Sequence, residues 1–181
     1  GKPNVGKSSL VNYICGENRC IVSDQAGTTR DAVDISVSNR FGHFVLIDTA
    51  GLRRKSRIDN DIERYSTMRA QMAVERSDVC VIMLDGTVGF TEQDSKVAGL
   101  AHEAGKGCVI AVNKWDAVEK SGSTLELYRK RLQNDFSFMS YAEIVFISAK
   151  TGQRLDQMFE AVTRAAAANA KRIPTGLLNE S

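Results

Sequence analysis

The stretch that most constrains this chain is its first nine residues, Gly1-Lys2-Pro3-Asn4-Val5-Gly6-Lys7-Ser8-Ser9, which match the pattern G-x-x-x-x-G-K-[ST] at every fixed position. Glycines at both ends let the backbone bend round and turn consecutive amide groups inward. A ring of N–H dipoles and the N-terminus of the following helix then face a polyphosphate. Gly1, Asn4, Val5, Gly6, Lys7, Ser8 and Ser9 are therefore candidate phosphate-binding residues. Lys7 reaches the β and γ phosphates as a point charge, and the Ser8 hydroxyl has the position and hardness to ligate magnesium. Residues 9–14 continue as a helix with Leu10, Val11 and Ile14 on one face and Gly16 placed to end it. Such a loop normally leaves a buried strand. No residue precedes Gly1, so the expectation is a piece of a longer protein that lacks the strand at the centre of its sheet.

The 181 residues, 43% of them hydrophobic, suffice for one domain with a sizeable core. Charges nearly cancel, leaving a formal +2, so composition alone proposes neither a nucleic-acid binder nor a membrane-surface protein. Cys15, Cys20, Cys80 and Cys108 lack the paired spacing of a zinc site, and Cys80 and Cys108 sit in apolar runs. They read as reduced, intracellular thiols. No apolar run reaches membrane-spanning length and no signal peptide is visible, so the cytoplasm is the expected location and no membrane partner is expected.

Residues 21–31 are polar, glycine-containing and without period, which reads as a working loop. Val33, Ile35 and Val37 then alternate with Asp34, Ser36 and Ser38, and after a turn comes Phe44-Val45-Leu46-Ile47, together an antiparallel hairpin. The second strand delivers Asp48-Thr49-Ala50-Gly51. A carboxylate there, before a loop that opens on glycine, can act on magnesium through water beside a mobile sensor of the γ phosphate, although taken alone it reads as a β-turn aspartate. Residues 52–61 are basic (Arg53, Arg54, Lys55, Arg57), and residues 62–76 read as a helix with Tyr65, Met68, Met72 and Ala73 on one side.

From there strands alternate with helices. Apolar runs at 79–84, 108–112 and 144–147 read as buried parallel strands, with helices over 92–104, 125–136 and 155–170. That alternation means right-handed crossovers and an open, mostly parallel α/β sheet covered on both faces, with ligands at the carboxyl ends of its strands. Those ends carry Asn113-Lys114-Trp115-Asp116 and Ser148-Ala149-Lys150. The Asp116 carboxylate can accept two hydrogen bonds from a base that offers a ring N–H beside an exocyclic amine, as guanine does and adenine does not. Asn113 can bond the purine N7 and tie two loops together, while the stems of Lys114 and Lys150 can cover the ring's faces. Trp115 reads as packing, and His43 and His102 as surface residues.

With these motifs in this order, the sequence resembles the translation-factor-related class of GTPases and, within it, the second GTPase domain of the Der (EngA) family. The match runs over the motifs above, Gly27-Thr28-Thr29-Arg30-Asp31, Glu63-Arg64-Tyr65-Ser66 and the tail Arg172-Ile173-Pro174-Thr175-Gly176-Leu177-Leu178-Asn179-Glu180. The resemblance implies a P-loop NTPase G domain over residues 1–170, with a mostly parallel six-stranded sheet whose first strand is absent here. Residues 171–181 would then link into a C-terminal KH-like domain, with another G domain upstream. It implies GTP and GDP as ligands, and hydrolysis that works as a switch through Lys7, Thr29 and Gly51. Phosphates would meet the first loop and Asp48, Thr49, Ala50 and Gly51, while guanine would meet Asn113, Lys114, Asp116, Ser148, Ala149 and Lys150. Mg2+ would be held by Ser8, Thr29 and, through water, Asp48. The large ribosomal subunit is the implied partner.

One departure bears on mechanism. Ras-like enzymes carry glutamine after the Gly51 equivalent, but this chain has Leu52, which cannot orient water. Asn4 and the loop with Ser23 and Gln25 resemble the K+ site of cation-dependent G proteins, so hydrolysis is expected to be slow and stimulated by potassium. The competing readings are an ATP-dependent kinase or ATPase on the same fold, and a module that holds GDP without turnover. Among near relatives, an Era-like or tRNA-modifying GTPase competes with Der.

Overall fold

The computed structural model describes residues 5–24, 33–48 and 62–178, with 19, 22–24, 33, 62–67 and 172–178 followed in backbone only. The chain divides into two compact units, Lys7–Ser77 and Asp78–Ser181 together with Gly1–Gly6.

In the first unit, helix α1 (Lys7–Glu17) buries Leu10, Val11 and Ile14, the face its spacing predicts, and carries Gly16 inside its last turn. Strand β1 (Arg19–Asp24) follows, paired antiparallel with β2 (Val33–Asn39), which pairs antiparallel with β3 (Gly42–Leu46). The expected β2–β3 hairpin is present. Its turn is closed by the Asn39 side chain, which accepts the Phe41 N–H at 2.9 Å, and by Gly42 at φ +133°.

Strand β1 corrects the reading of residues 21–31 as loop from their start. Cys20 faces Val37 and Val22 faces Ile35 across the ladder, and a third strand gives the hairpin the pairing it needs for stability. Helix α2 spans Ile62–Arg76 as expected. Its supposed apolar side is not covered, however, because Met68 is 68% and Met72 48% exposed. The face turned toward the sheet carries Arg69 and Arg76 instead.

The second unit is built from β4 (Val79–Asp85), α3 (Glu92–Glu103), β5 (Gly107–Asn113), α4 (Thr124–Asp135), β6 (Glu143–Phe146) and α5 (Leu155–Leu178). Its three strands are parallel and stand in chain order, β5 in the middle and buried along its whole length. Cys108, Ile110 and Val112 share one face with Ala98 and Ala101 of α3 and Leu132 of α4. The alternate residues Val109 and Ala111 are buried on the other face, and α5 packs across β4, β5 and β6.

Helix α3 starts in a capping box, with the Thr91 side chain on the Asp94 N–H and the Asp94 carboxylate on the Thr91 N–H. Helix α5 runs on past residue 170 to Leu178, its middle carried by Ala165, Ala166, Ala167, Ala168 and Ala170, the best helix formers. The α/β class is as expected. Within the described residues the hydrogen bonds group the strands as two sheets of three, one antiparallel and one parallel. Short turns return a chain antiparallel and helical crossovers return it parallel.

Candidate functional site

In the second unit the site is assembled where β4, β5 and β6 end. Asn113, the last residue of β5, is 2% exposed and uses both ends of its amide. Its Nδ2 donates to the Val5 carbonyl at 2.8 Å, and its Oδ1 accepts the Ala149 N–H at 2.9 Å. One side chain thus ties its own loop to the loop after β6, as expected, and also holds the first loop, a contact the sequence did not suggest. The fit is close: a Cβ on Gly6 would lie 2.2 Å from Asn113 Nδ2, and Gly6 has φ +104°. No other residue satisfies both the contact and the backbone angle.

Lys114 follows in the left-handed region at φ +60°, and its ammonium donates to Asp85 Oδ2 at 2.8 Å. Asp85 ends β4, and its other oxygen accepts the Thr87 N–H at 2.9 Å and the Thr87 hydroxyl at 2.5 Å. Burial pushes the Asp85 carboxyl upward, but the hydrogen bonds from Lys114 and Thr87 outweigh it and hold the group below its ordinary value. Gly86 donates to the Asn113 carbonyl at 2.8 Å and accepts the Tyr128 hydroxyl at 2.9 Å. Trp115 is buried against Tyr128 and Phe146, the packing role expected of it.

Asp116 is exposed at the mouth of this cluster, and its Oδ1 accepts the Ser148 hydroxyl at 2.8 Å. Ser148 is itself fully buried, its oxygen accepting the Thr151 N–H and its backbone bonded to Gly152 and Gln153. The loop that carries Ala149 and Lys150 is therefore closed on itself by its own hydrogen bonds, with Lys150 exposed on it.

In the first unit, Lys7 opens α1, and burial lowers the pKa of its ammonium. Ser8 and Ser9 are exposed in the same turn. Asp48 stands just after β3 at φ +56°, a conformation held from two sides. Its N–H donates to Asp34 Oδ1 at 3.0 Å, and its Oδ1 accepts Arg69 at 3.1 Å. Arg76 closes the set on Asp34 Oδ2 at 2.5 Å. Asp34, one of the polar residues that alternate along β2, is only 2% exposed. The missed signal was Arg69 and Arg76, seven apart and so on one face of α2, a cationic stripe facing the sheet.

Ser23 lies in β1 opposite Asp34. Gly1, Asn4, Gln25, Thr29, Thr49, Ala50, Gly51 and the basic run of Arg53, Arg54, Lys55 and Arg57 lie outside the described residues. Magnesium beside a polyphosphate takes oxygen ligands and needs only one or two from protein, so the Ser8 hydroxyl and the Asp48 carboxylate fit that ion.

Comparison with known proteins identifies the family. A family model described as 50S ribosome-binding GTPase matches residues 1–114. The chain is 56% identical to GTPase Der of Lachnospira eligens over 180 residues, which is 99% of this chain and 41% of that protein. It thus spans less than half the length of the curated Der proteins it matches. Among solved structures, an Aquifex aeolicus Era bound to GDP and AlF4- is 26% identical with a TM-score of 0.68, over 91% of this chain and 54% of that one. Era in complex with MgGDPNP and a segment of 16S ribosomal RNA is 28% identical with the same TM-score and the same coverage of both chains. The family match covers the loop that Asn113 grips and ends one residue beyond Asn113 itself, and on that evidence the chain belongs to the 50S ribosome-binding GTPase family.

Proposed function

We propose that this domain binds GTP and GDP, hydrolyses GTP to GDP and phosphate as a conformational switch, and does so in the cytoplasm during assembly of the large ribosomal subunit. The observation that carries the reading is the Asn113 tie. It joins the phosphate loop at Val5 to the Ser148-Ala149-Lys150 loop, while Ser148 orients Asp116. A base edge and a polyphosphate would then be held by one connected framework.

The phosphates meet the backbone amides of the first loop and the Lys7 ammonium. A lysine whose pKa is lowered by burial gains by pairing with phosphate charge. Ser8, Thr29 and Asp48 are the residues for Mg2+, which when bound neutralises charge on the β and γ phosphate oxygens. Gly51 and Thr29 serve as the sensors whose loops are released after hydrolysis. Because Leu52 cannot orient the attacking water, the slow step is assigned a K+ ion held by Asn4, Ser23 and Gln25. The family description and the likeness to Der support a ribosomal partner, with Arg53, Arg54, Lys55 and Arg57 as its RNA-facing charge. An upstream G domain and a downstream KH-like domain complete the proposed protein, with residues 171–181 as the link.

Competition of GTP against ATP tests the reading. GTP and GDP should displace a labelled guanine nucleotide while ATP does not. Asp116→Ala should remove that preference, since each hydrogen bond to a charged acceptor contributes about 1.5–3 kcal/mol and two are lost. Equal displacement by ATP would return the ATPase or kinase reading, and binding without phosphate release in a single turnover would leave a GDP-holding module. Equal single-turnover rates in potassium and sodium would refute the K+ assignment.

A further inference from the structure

We propose that Asp85 is a positioning residue, which anchors the Lys114 ammonium so that the lysine presents its methylene stem, and not its charge, to the flat face of the guanine ring. The inference rests on the guanine reading above. Nothing in the guanine motif itself requires a carboxylate 29 residues upstream, yet both Asp85 oxygens are engaged, one by Lys114 and the other by Thr87. The carboxylate side chain is only 10% exposed, so the lysine ammonium is tied to a largely buried partner.

The surroundings fix Lys114 from every other direction. Asn113 before it is gripped by Val5 and Ala149, and its carbonyl holds the Gly86 N–H. Trp115 after it donates its backbone N–H to the Ile147 carbonyl at 3.1 Å, with its ring buried. The turn that supplies Asp85 is as tightly specified: a Cβ on Gly86 would lie 2.8 Å from the Asn113 carbonyl oxygen. Left-handed backbone at φ +60° aims a side chain along a line an ordinary strand residue does not reach.

With the backbone pinned and the ammonium tied, the stem has few rotamers left to lose when a base stacks on it. A long cationic side chain left to move would lose that freedom on binding and would compete for solvent. The anchor therefore acts on the base and not on the phosphates, and its loss should weaken guanosine monophosphate and GDP by the same factor.

The test is a double-mutant cycle on the full chain, with Asp85→Asn, Lys114→Met and both together, each titrated with GDP, GMP and ADP. Lys114→Met keeps the stem and removes the charge. Each single variant should lose about tenfold in affinity for GDP and for GMP alike, the factor expected from freeing one rotamer-rich side chain. The double variant should lose no more than either single one, and Asp85→Glu should recover part of the loss. A double loss equal to the product of the single losses would overturn the proposal, and so would a GDP affinity that neither variant changes. Should Asp85→Asn fail to fold, Lys114→Met alone decides, because unchanged GMP affinity in it refutes the anchor. A parent that binds ADP as tightly as GDP would instead defeat the guanine reading, whatever the cycle shows.

Discussion

Replacing Asn113 by alanine strands two polar groups at once. Val5 is fully buried and Ala149 is 3% exposed, so neither the Val5 carbonyl nor the Ala149 N–H reaches bulk water when the amide is gone. An unsatisfied buried donor or acceptor costs about 1–3 kcal/mol, and two of them cost about 2–6 kcal/mol if nothing relaxes. The space left is large enough for some relaxation or a water, so a loss of about 2–4 kcal/mol is expected, a large share of the ~5–15 kcal/mol of a typical domain.

Urea unfolding followed by the fluorescence of Trp115, the single tryptophan, reads this directly, because its ring is buried two residues away. Repeating the titration with GDP separates the two roles of the side chain, since a ligand bound only to the native state adds RT ln(1 + [L]/Kd). The GDP increment should shrink in the variant together with the baseline. Asn113→Asp should cost at least as much at neutral pH, for it keeps the acceptor but turns an oxygen toward the Val5 carbonyl. A loss under about 0.5 kcal/mol in Asn113→Ala, the range of an ordinary surface change, would refute the idea that this amide holds the loops together.

Gly6→Ala should both destabilise the domain and weaken nucleotide binding, because the added carbon meets Asn113 at 2.2 Å and φ +104° suits only glycine. A calorimetric titration with GDP that matches the parent would contradict it. Arg76→Ala removes the cation from the buried Asp34. The expected loss is about 2–3 kcal/mol in urea, below the ~3–5 kcal/mol of a fully buried pair because 34% of the arginine side chain is in water. Burial pushes the Cys108 thiol up to about 11, with the Tyr141 hydroxyl opposing. The fold thus favours the neutral thiol, and the stability this contributes is complete below the ordinary cysteine range and lost as pH rises toward that value. At pH 8 Cys108 should resist iodoacetamide in the native state and react once urea unfolds the chain, which mass spectrometry of the labelled peptide would show.

Much of the second unit was legible because its signals are local. Continuous apolar runs bounded by helical periods marked β4, β5 and β6 to within a residue or so, and the polar residues that end β5 mark a site because buried strands deliver them nowhere else. Asp85 was visible only as the end of β4, since its meaning lies in Lys114, 29 residues on. The first unit was harder. Ser23 and Asp24 hid β1 inside a stretch that continues as polar sequence, and nothing in the alternation of β2 marked Asp34 as the polar residue that Arg76 of α2 draws in. Met68 and Met72 misled for the same reason, as the helical period was correct but charge chose which face turned inward. Patterns of hydrophobicity identify elements, whereas pairings between distant charges decide how they are rotated.

The bond between Asn113 and Val5 also sets a schedule for synthesis. The loop that carries Val5 is made before its partners: the side chain that holds its carbonyl lies 108 residues later in the chain, and Ala149, the third member of the joint, 36 residues after that. At about 5–20 residues per second, the loop is exposed for roughly five to twenty seconds before Asn113 is made, and for some seconds more before Ala149 follows. Throughout that interval the nascent chain carries the Val5 loop without the side chain that anchors it. If the domain binds nucleotide as proposed, it would do so only after Ala149 has been made, because the joint is incomplete until then.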